Sequence, residues 1–189
     1  MCIRDRNKTP SELNKAIDNF VLSCAGCCVA TYVLGIGDRH SDNIMLKENG
    51  QLVHIDFGHF LGNFKSKFGV KRERVPFVLT DDFIHIITRE EGKSDYEFIK
   101  FKRLCEKAYM LLRQKGDLFI NLFTMMLSTG IPELRSVDDV RYISNALCMS
   151  KTDDQALEDF RKKFQEATKH AWSVSVNWYI HNVAHAGNK

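Results

Sequence analysis

Apolar residues recur every three or four positions over most of the chain, and this spacing predicts helices. A long apolar segment predicts a helix from Leu13 to Tyr32, and a shorter one predicts a helix from Thr80 to Thr88. A third helix begins at the capping box Ser94-Asp95-Tyr96-Glu97 and extends to about Lys115. Helices are therefore expected on both sides of the middle of the chain.

The last third of the chain continues this pattern. Residues Leu118 to Met126 are predicted as a buried apolar helix that stops before a glycine and a proline. Two more helices begin at the polar capping residues Ser136 and Thr152. The chain contains no internal repeat and no low-complexity linker, so one compact unit is expected.

One short stretch has the pattern of a β-hairpin instead. The apolar runs Ile44-Met45-Leu46-Lys47 and Leu52-Val53-His54-Ile55-Asp56 flank the polar sequence Glu48-Asn49-Gly50-Gln51. Asn-Gly between two apolar runs is the strongest short-range hairpin signal. We therefore predict a mainly α fold of the α+β class, in which a helical bundle carries one small β-hairpin.

Composition limits the classes of protein to which the chain can belong. Its 189 residues, 44% of them hydrophobic, are enough for one sizeable core. The net charge of +3 is modest, so no nucleic-acid partner is expected. No apolar run approaches the ~18 residues of a membrane span, and no signal peptide is recognised. A cytoplasmic protein is the resulting expectation.

Six cysteines fit that compartment. Cys24-Ala-Gly-Cys27 has the spacing of a redox motif, but an apolar run continues on both sides where a thioredoxin-like site needs a preceding strand. We therefore interpret these cysteines as buried, reduced thiols.

The residues that carry chemistry flank the hairpin. Gly37-Asp38-Arg39-His40-Ser41-Asp42-Asn43 precedes its first strand, and Asp56-Phe57-Gly58 follows its second. Protein kinases place a catalytic Asp five positions before a metal-binding Asn and a second metal-binding Asp in Asp-Phe-Gly. Because a hairpin brings its two ends together, we expect Asn43 and Asp56 to bind one Mg²⁺ (or Mn²⁺) through oxygen atoms.

Three side chains qualify by position as the general base: Asp38, His40 and His59. A neutral imidazole, with an ordinary pKa of about 6.5, is better matched to cytosolic pH than a carboxylate. Both histidines meet this requirement, and Asp38 is expected to orient the acceptor hydroxyl. For His59 a packing role is the alternative, and Arg39 is expected to bridge loop carbonyls.

His40 follows the catalytic Asp, whereas protein kinases place a His before it. With this order, Gly37 to Asn43 followed by His54-Ile55-Asp56-Phe57-Gly58-His59 resembles the catalytic core of the phosphoinositide 3-kinase and related lipid-kinase superfamily. The resemblance, from about Leu13 to His185, implies a kinase-like C-lobe that uses ATP as co-substrate, and it assigns the general base to His40. Residues 13–189 are assigned to that C-lobe without its N-lobe. Residues 1–12 are assigned to a leader, with a non-native origin as one hypothesis.

A basic segment follows Asp-Phe-Gly. Five cations face one acid between positions 65 and 74, which suits a headgroup with two phosphomonoesters, and a solvated basic loop is the alternative. The stretch from Phe64 to Phe77 resembles the activation segment of class I phosphoinositide 3-kinases, closer to the beta and delta type than to alpha. That resemblance implies phosphatidylinositol 4,5-bisphosphate as substrate. It assigns headgroup binding to Lys65, Lys67, Lys71 and Arg72.

The resemblance also implies roles for apolar residues. Met45 and Ile55 are expected to line the adenine pocket, with ordinary core packing as the alternative. Trp172 and Trp178 are expected to contact the membrane, with core packing of Trp172 as the alternative. His54, in contrast, is interpreted as a structural histidine whose ring nitrogens have hydrogen-bond partners. A regulatory adaptor subunit and peripheral recruitment to the plasma membrane complete the implied setting.

Three hypotheses remain open. In the first, the chain is the catalytic C-lobe of a class I phosphoinositide 3-kinase, which transfers the ATP γ-phosphate to the inositol 3-hydroxyl and is inactive without its N-lobe. In the second, it is a non-catalytic module that binds phosphoinositide membranes. In the third, it belongs to another branch of the same superfamily.

Overall fold

The computed structural model describes residues 3–63, 66–67, 70–71, 75–89 and 95–169. Within these ranges the protein is mostly helical, with two short antiparallel strand pairs, so the predicted fold class is confirmed. In chain order the elements are α1 (Ile3–Arg6), α2 (Pro10–Val33), β1 (Ile44–Leu46), β2 (Leu52–His54), β3 (Ser66–Lys67), β4 (Val70–Lys71), α3 (Asp81–Ile87), α4 (Asp95–Gln114), α5 (Gly116–Met125), a 3₁₀ turn (Met126–Thr129), α6 (Val137–Ala146) and α7 (Asp153–Lys169).

Helix α2 leads directly into the loop that carries the candidate chemistry. It begins three residues earlier than predicted, because Thr9 and Glu12 form a capping box and a proline occupies its first position. Its buried face, which includes Phe20, Cys24 and Cys28, packs in the core. Helix α2 contacts α3, α4, α6 and β2. This one helix therefore packs against both the hairpin and the helical bundle.

By length and composition α2 also meets the criterion for a helix that could cross a membrane, although the apolar runs of the sequence predict no such segment. In its most apolar window, 44% is buried inside the protein. Core helices of folded domains meet the same criterion, because a helix buried among other elements is apolar over much of its surface.

Aromatic side chains of α4 and α7 make a large contribution to the core. Tyr109 and Phe160 stack with their ring centroids 4.5 Å apart and an interplanar angle of 9°. The Tyr109 hydroxyl donates to the Ala146 carbonyl at 3.0 Å, so its burial leaves no unsatisfied donor. Phe101 of α4 and Phe164 of α7 are also buried.

Helix α5 differs from its prediction as a buried helix. Leu118, Leu122 and Met125 are 54%, 43% and 66% exposed and share one face of the helix. Phe119 and Phe123, on the opposite side, pack against the core. Periodicity could not separate the two faces, because apolar residues occupy both.

The described cysteines are all free: Cys24, Cys27, Cys28, Cys105 and Cys148. A hydrogen bond with Cys28 and burial raise the pKa of the Cys24 thiol, and burial raises the pKa of Cys105. A raised thiol pKa leaves little reactive thiolate near neutral pH. Burial is therefore confirmed for Cys24, Cys28 and Cys105, whereas Cys27, the second cysteine of the motif, is only partly buried.

Arg113 joins α4 to the segment between α6 and α7. Its guanidinium donates to the carbonyls of Leu147, Cys148 and Lys151 at 2.5, 2.6 and 2.5 Å. It also pairs with the exposed carboxylate of Asp153 at 2.9 Å, while its own side chain is 10% exposed. Carbonyls beyond the last turn of a helix lack helical donors, so one arginine satisfies three of them here.

We expect Arg113→Ala to lower the free energy of unfolding by about 2–4 kcal/mol, because these carbonyls lose a charged donor. Chemical denaturation followed by circular dichroism measures the change. The matched control is Arg141→Ala, whose side chain is 65% exposed and pairs only at the surface with Asp138. The control should change stability by less than about 1 kcal/mol, and equal effects of the two substitutions would contradict the prediction.

Candidate active site

The predicted hairpin is present and determines the geometry of the site. Strands β1 and β2 pair antiparallel, with Met45 opposite Val53. Beyond the strands, the Ile55 N–H donates to the Asn43 carbonyl at 3.0 Å. Asn43 and Asp56, the two residues predicted to bind metal, therefore lie together at the open end of the hairpin.

Asn43 is buried, with 3% of its surface exposed. Its Oδ1 accepts from the His40 N–H at 2.9 Å, and its Nδ2 donates to the Asp38 carbonyl. The amide thus closes the loop between positions 38 and 43 on itself, a role that sequence reasoning missed. Oδ1 has a second lone pair for a cation, and the buried amide holds that atom in one orientation.

Asp38 and His40 face each other across this loop. His40 Nε2 is 3.9 Å from Asp38 Oδ2, and both side chains are about one-fifth exposed. The same nitrogen is 3.3 Å from Asn43 Nδ2, while the Asp42 N–H donates to His40 Nδ1 at 3.3 Å. The structure therefore brings together both residues predicted to act on the acceptor hydroxyl and places them beside a predicted metal ligand.

Arg39 connects the loop before the hairpin to the loop after it. Its Nε donates to the Gly37 carbonyl at 2.9 Å and its Nη1 to the Ile55 carbonyl at 2.8 Å, while Nη2 donates to the Asp56 carbonyl. Burial lowers the pKa of Arg39, opposed by the carboxylates of Asp56 and Asp38. The predicted bridging of loop carbonyls by Arg39 is confirmed.

Asp38 and Asp56 both have a left-handed backbone conformation, with φ angles of 55° and 59°. Non-glycine residues adopt this conformation rarely, although Asp and Asn tolerate it better than most. Such conformations persist only where neighbouring groups impose them. At Asp56 the imposing groups include Arg39 and the Gly58 N–H, which donates to Asp56 Oδ1 at 3.3 Å.

His59 lies on the next turn of chain. Its carbonyl accepts from the Gly37 N–H at 2.9 Å, and its Nδ1 is 3.2 Å from the Asn63 carbonyl. The residue also lines a polar cavity of about 310 Å³ together with Asn63 and the segment before α6. These contacts fit the packing alternative for His59, and its catalytic role stays a prediction.

An exposed apolar face covers one side of the hairpin. It consists of Met45, Val53, Ile55 and Phe57, which are 54%, 37%, 40% and 51% exposed. Alternate residues of a strand point to the same side, so Met45, Val53 and Ile55 form a continuous patch. Ordinary core packing of Met45 and Ile55 is therefore wrong for the described structure, and their role in an adenine pocket stays a prediction.

His54 departs from the expectation of a satisfied histidine. Its Nδ1 is buried and has no hydrogen-bond partner among the described residues. Burial and the charge of Arg39 lower the pKa of His54 to about 4. The ring is therefore neutral near pH 7.

Several predicted residues lie outside the described residues: Lys65, Arg72, Trp172 and Trp178. For Lys67 and Lys71 the structure describes only the backbone. Strands β3 and β4 pair antiparallel, with Ser66 opposite Lys71 and Lys67 opposite Val70. Part of the basic segment is thus a short hairpin that the sequence did not predict, and the headgroup and membrane roles stay predictions.

The donor atoms at the open end of the hairpin fit a hard divalent cation. Asn43 supplies an amide oxygen, and Asp56 supplies an exposed carboxylate. Mg²⁺ in kinases takes one or two protein ligands of this kind and completes its shell with phosphate oxygens and water. The arrangement therefore suits a metal that binds together with a nucleotide.

Known proteins resemble this chain closely. The family model described as "Phosphatidylinositol 3- and 4-kinase" matches residues 2–136. Phosphatidylinositol 3-kinase 1 of Dictyostelium discoideum is 50% identical over 186 residues, which cover 97% of this chain and 12% of the relative. Phosphatidylinositol 3-kinase 2 of the same organism is 50% identical over 183 residues, 97% of this chain and 10% of the relative. The chain thus spans about a tenth of the length of these curated relatives.

The buried His54 predicts a pH-dependent stability. Its pKa is about 4 in the folded protein and about 6.5 in the unfolded chain, so unfolding takes up a proton between these values. The stability contributed by the neutral ring is complete above pH ~6.5 and is lost as the pH falls toward 4. We expect an NMR titration of His54 to show a midpoint near 4.

We also expect His54→Asn to reduce the loss of unfolding free energy between pH 6.5 and 4, measured by denaturation at several pH values. Substituting the exposed His85 by Asn serves as the control for removal of a histidine. A wild-type midpoint near 6.5, or identical pH profiles for His54→Asn and the wild type, would contradict the prediction.

Proposed function

This chain belongs to the phosphatidylinositol 3- and 4-kinase family, and on that premise we propose that its parent enzyme transfers the γ-phosphate of ATP to the 3-hydroxyl of phosphatidylinositol 4,5-bisphosphate. The names of the two relatives support the 3-kinase specificity. The family uses ATP as co-substrate with a divalent metal, and we assign that metal as Mg²⁺.

The observation that carries the proposal is the backbone hydrogen bond between Ile55 and Asn43, which brings Asn43 and Asp56 together. These two residues bind Mg²⁺, and the metal supplies neutralisation of the phosphate charge when it is bound. The protein contributes the position of the ligands. The buried amide contacts of Asn43 and the Arg39 bond to the Asp56 carbonyl provide that position before any substrate arrives.

The acceptor hydroxyl is handled on the other side of Asn43. His40 accepts the proton of the inositol 3-hydroxyl at Nε2, in the ring tautomer that carries its own proton on Nδ1 and gives up the contact from the Asp42 N–H. Asp38 orients that hydroxyl. The 3.9 Å separation between His40 Nε2 and Asp38 Oδ2 supports a shared role, because one hydroxyl can lie within hydrogen-bond distance of both. His59 is the weaker candidate because its ring contacts the Asn63 carbonyl.

Substrate selection is assigned to the basic segment that follows Asp-Phe-Gly. Lys65, Lys67, Lys71 and Arg72 bind the headgroup phosphates, as expected for a class I enzyme of the beta and delta type. Trp172 and Trp178 contact the membrane. The parent enzyme is cytoplasmic, associates with a regulatory adaptor subunit and is recruited peripherally to the plasma membrane.

A non-catalytic module is the second candidate, and the exposed apolar face of the hairpin favours it. Met45, Ile55 and Phe57 are half exposed in this chain, so the chain by itself presents a surface for another molecule. In that case the chain binds phosphoinositide membranes and consumes no ATP.

The first prediction concerns Asp56. In the parent enzyme, Asp56→Asn should lower ATP-dependent phosphorylation of lipid in vesicles by at least about 100-fold, because the metal loses its carboxylate ligand. The matched control is Glu48→Gln, which removes a carboxylate from the turn of the same hairpin, 65% exposed and paired with Arg6. This control should retain the wild-type rate.

Vesicles that contain phosphatidylinositol, its 4-phosphate or its 4,5-bisphosphate distinguish the substrates. Fastest 3-phosphorylation of the bisphosphate supports the class I assignment, and a preference for the unphosphorylated lipid would contradict it. If the parent enzyme binds these vesicles but consumes no ATP, the result would favour the non-catalytic module.

The second prediction separates the candidate bases. We expect His40→Asn to lower the rate constant of phosphoryl transfer by about 100-fold or more and His59→Asn by less than about 10-fold. Single-turnover assays at saturating ATP measure this rate constant. The opposite order would assign the base to His59. Equal small effects of both substitutions would assign it to Asp38.

A further inference from the structure

Two short backbone segments lie side by side behind the candidate active site. One follows α2 and leads into Asp38, and the other follows Asp56-Phe57-Gly58. Three hydrogen bonds join them: Gly37 N to the His59 carbonyl at 2.9 Å, Leu61 N to the Leu34 carbonyl at 2.8 Å, and Gly62 N to the Gly35 carbonyl at 3.2 Å. Their alignment therefore determines where the two catalytic loops start and end.

Tyr142 of α6 packs against both segments at once. A Cβ added at Gly35 would lie 2.6 and 2.7 Å from Cε1 and Cζ of the Tyr142 ring. A Cβ added at Gly62 would lie 2.6 and 2.8 Å from Cδ2 and Cε2 of the same ring. The two glycines have φ of +57° and +76°, so they are needed both for their left-handed backbone and for the space that the ring occupies.

The ring is itself fixed in place. The Tyr142 hydroxyl donates to the Tyr32 carbonyl at 3.3 Å, and that carbonyl also accepts from the Gly35 N–H at 3.2 Å. Burial raises the pKa of Tyr142, so the phenol stays protonated and able to donate. A second link is the Asn63 side-chain amide, which donates to the Glu133 carbonyl at 2.9 Å just before α6.

We propose that Tyr142 is a positioning residue for phosphoryl transfer, because its ring packs against Gly35 and Gly62 and so aligns the segment that leads to Asp38 with the segment that follows Asp56. This inference deepens the proposed function and rests on it for its kinetic readout. Tyr142 is on α6, outside both motifs that carry the chemistry. Its effect on catalysis passes through the two glycine-containing segments.

Two substitutions in the parent enzyme test this role. Tyr142→Ala removes the ring, and Tyr142→Phe keeps the ring while removing the hydroxyl. We expect Tyr142→Ala to lower kcat by about 10- to 100-fold with the KM for ATP changed by less than about 3-fold, because small displacements of catalytic groups cost rate more than affinity. Tyr142→Phe should restore kcat to within about 3-fold of the wild type, because packing carries the effect.

The matched control is Ile143→Ala, on the same helix, which removes a fully buried side chain from the main core. We expect it to lower the melting temperature at least as much as Tyr142→Ala and to leave kcat unchanged. An equal loss of kcat in Ile143→Ala, or the same loss in Tyr142→Phe as in Tyr142→Ala, would overturn the proposal.

Amide hydrogen exchange tests the same inference without any kinase activity. In Tyr142→Ala the amides of Gly37, Leu61 and Gly62 should exchange at least about 10-fold faster, because the hydrogen bonds between the two segments open more often. Unchanged exchange at these amides would overturn the proposal even if the rate falls. If the wild-type parent enzyme phosphorylates no lipid, the proposed function fails and the exchange result alone decides the role of Tyr142.

Discussion

The side chain of Arg39 is the interaction on which the candidate active site depends. One guanidinium donates to carbonyls of Gly37, Ile55 and Asp56, which lie on both sides of the hairpin. Its planar set of N–H groups can serve several acceptors in fixed directions, which a lysine cannot do. The left-handed backbone of Asp56 is held in place in part by this guanidinium. Arg39 therefore shapes the site although it is assigned no part in the chemical step.

Around this contact, the fold places each catalytic loop between rigid elements. Helix α2 delivers the loop that contains Asp38, and strand β2, which packs on α2, delivers Asp56. The packing of α4 and α7 stabilises α2 from behind, through the stacked rings of Tyr109 and Phe160. Precise placement of a few polar groups is the main requirement for phosphoryl transfer, and a hairpin mounted on a core helix meets it.

Much of the fold followed from local patterns in the sequence. The Asn-Gly turn predicted the hairpin, and the spacing of apolar residues predicted the long helices. Helix starts after Ser136 and Thr152 followed from capping residues. These signals are local, because each depends on residues within a few positions of one another. For the same reason, the sequence alone determined that Asn43 and Asp56 would lie together across one short hairpin.

Tertiary contacts decided what local patterns could not. Which face of α5 is exposed depends on the helices packed beside it, so the exposure of Leu118 and Met125 could not be read from an apolar run. His54 lies in its strand as predicted, yet only tertiary packing leaves its Nδ1 without a hydrogen-bond partner among the described residues. Tyr142 lies 80 residues or more from the two glycines it contacts, and no periodicity links positions so far apart. The sequence determined which residues carry the chemistry, and long-range packing decided which other residues hold them in place.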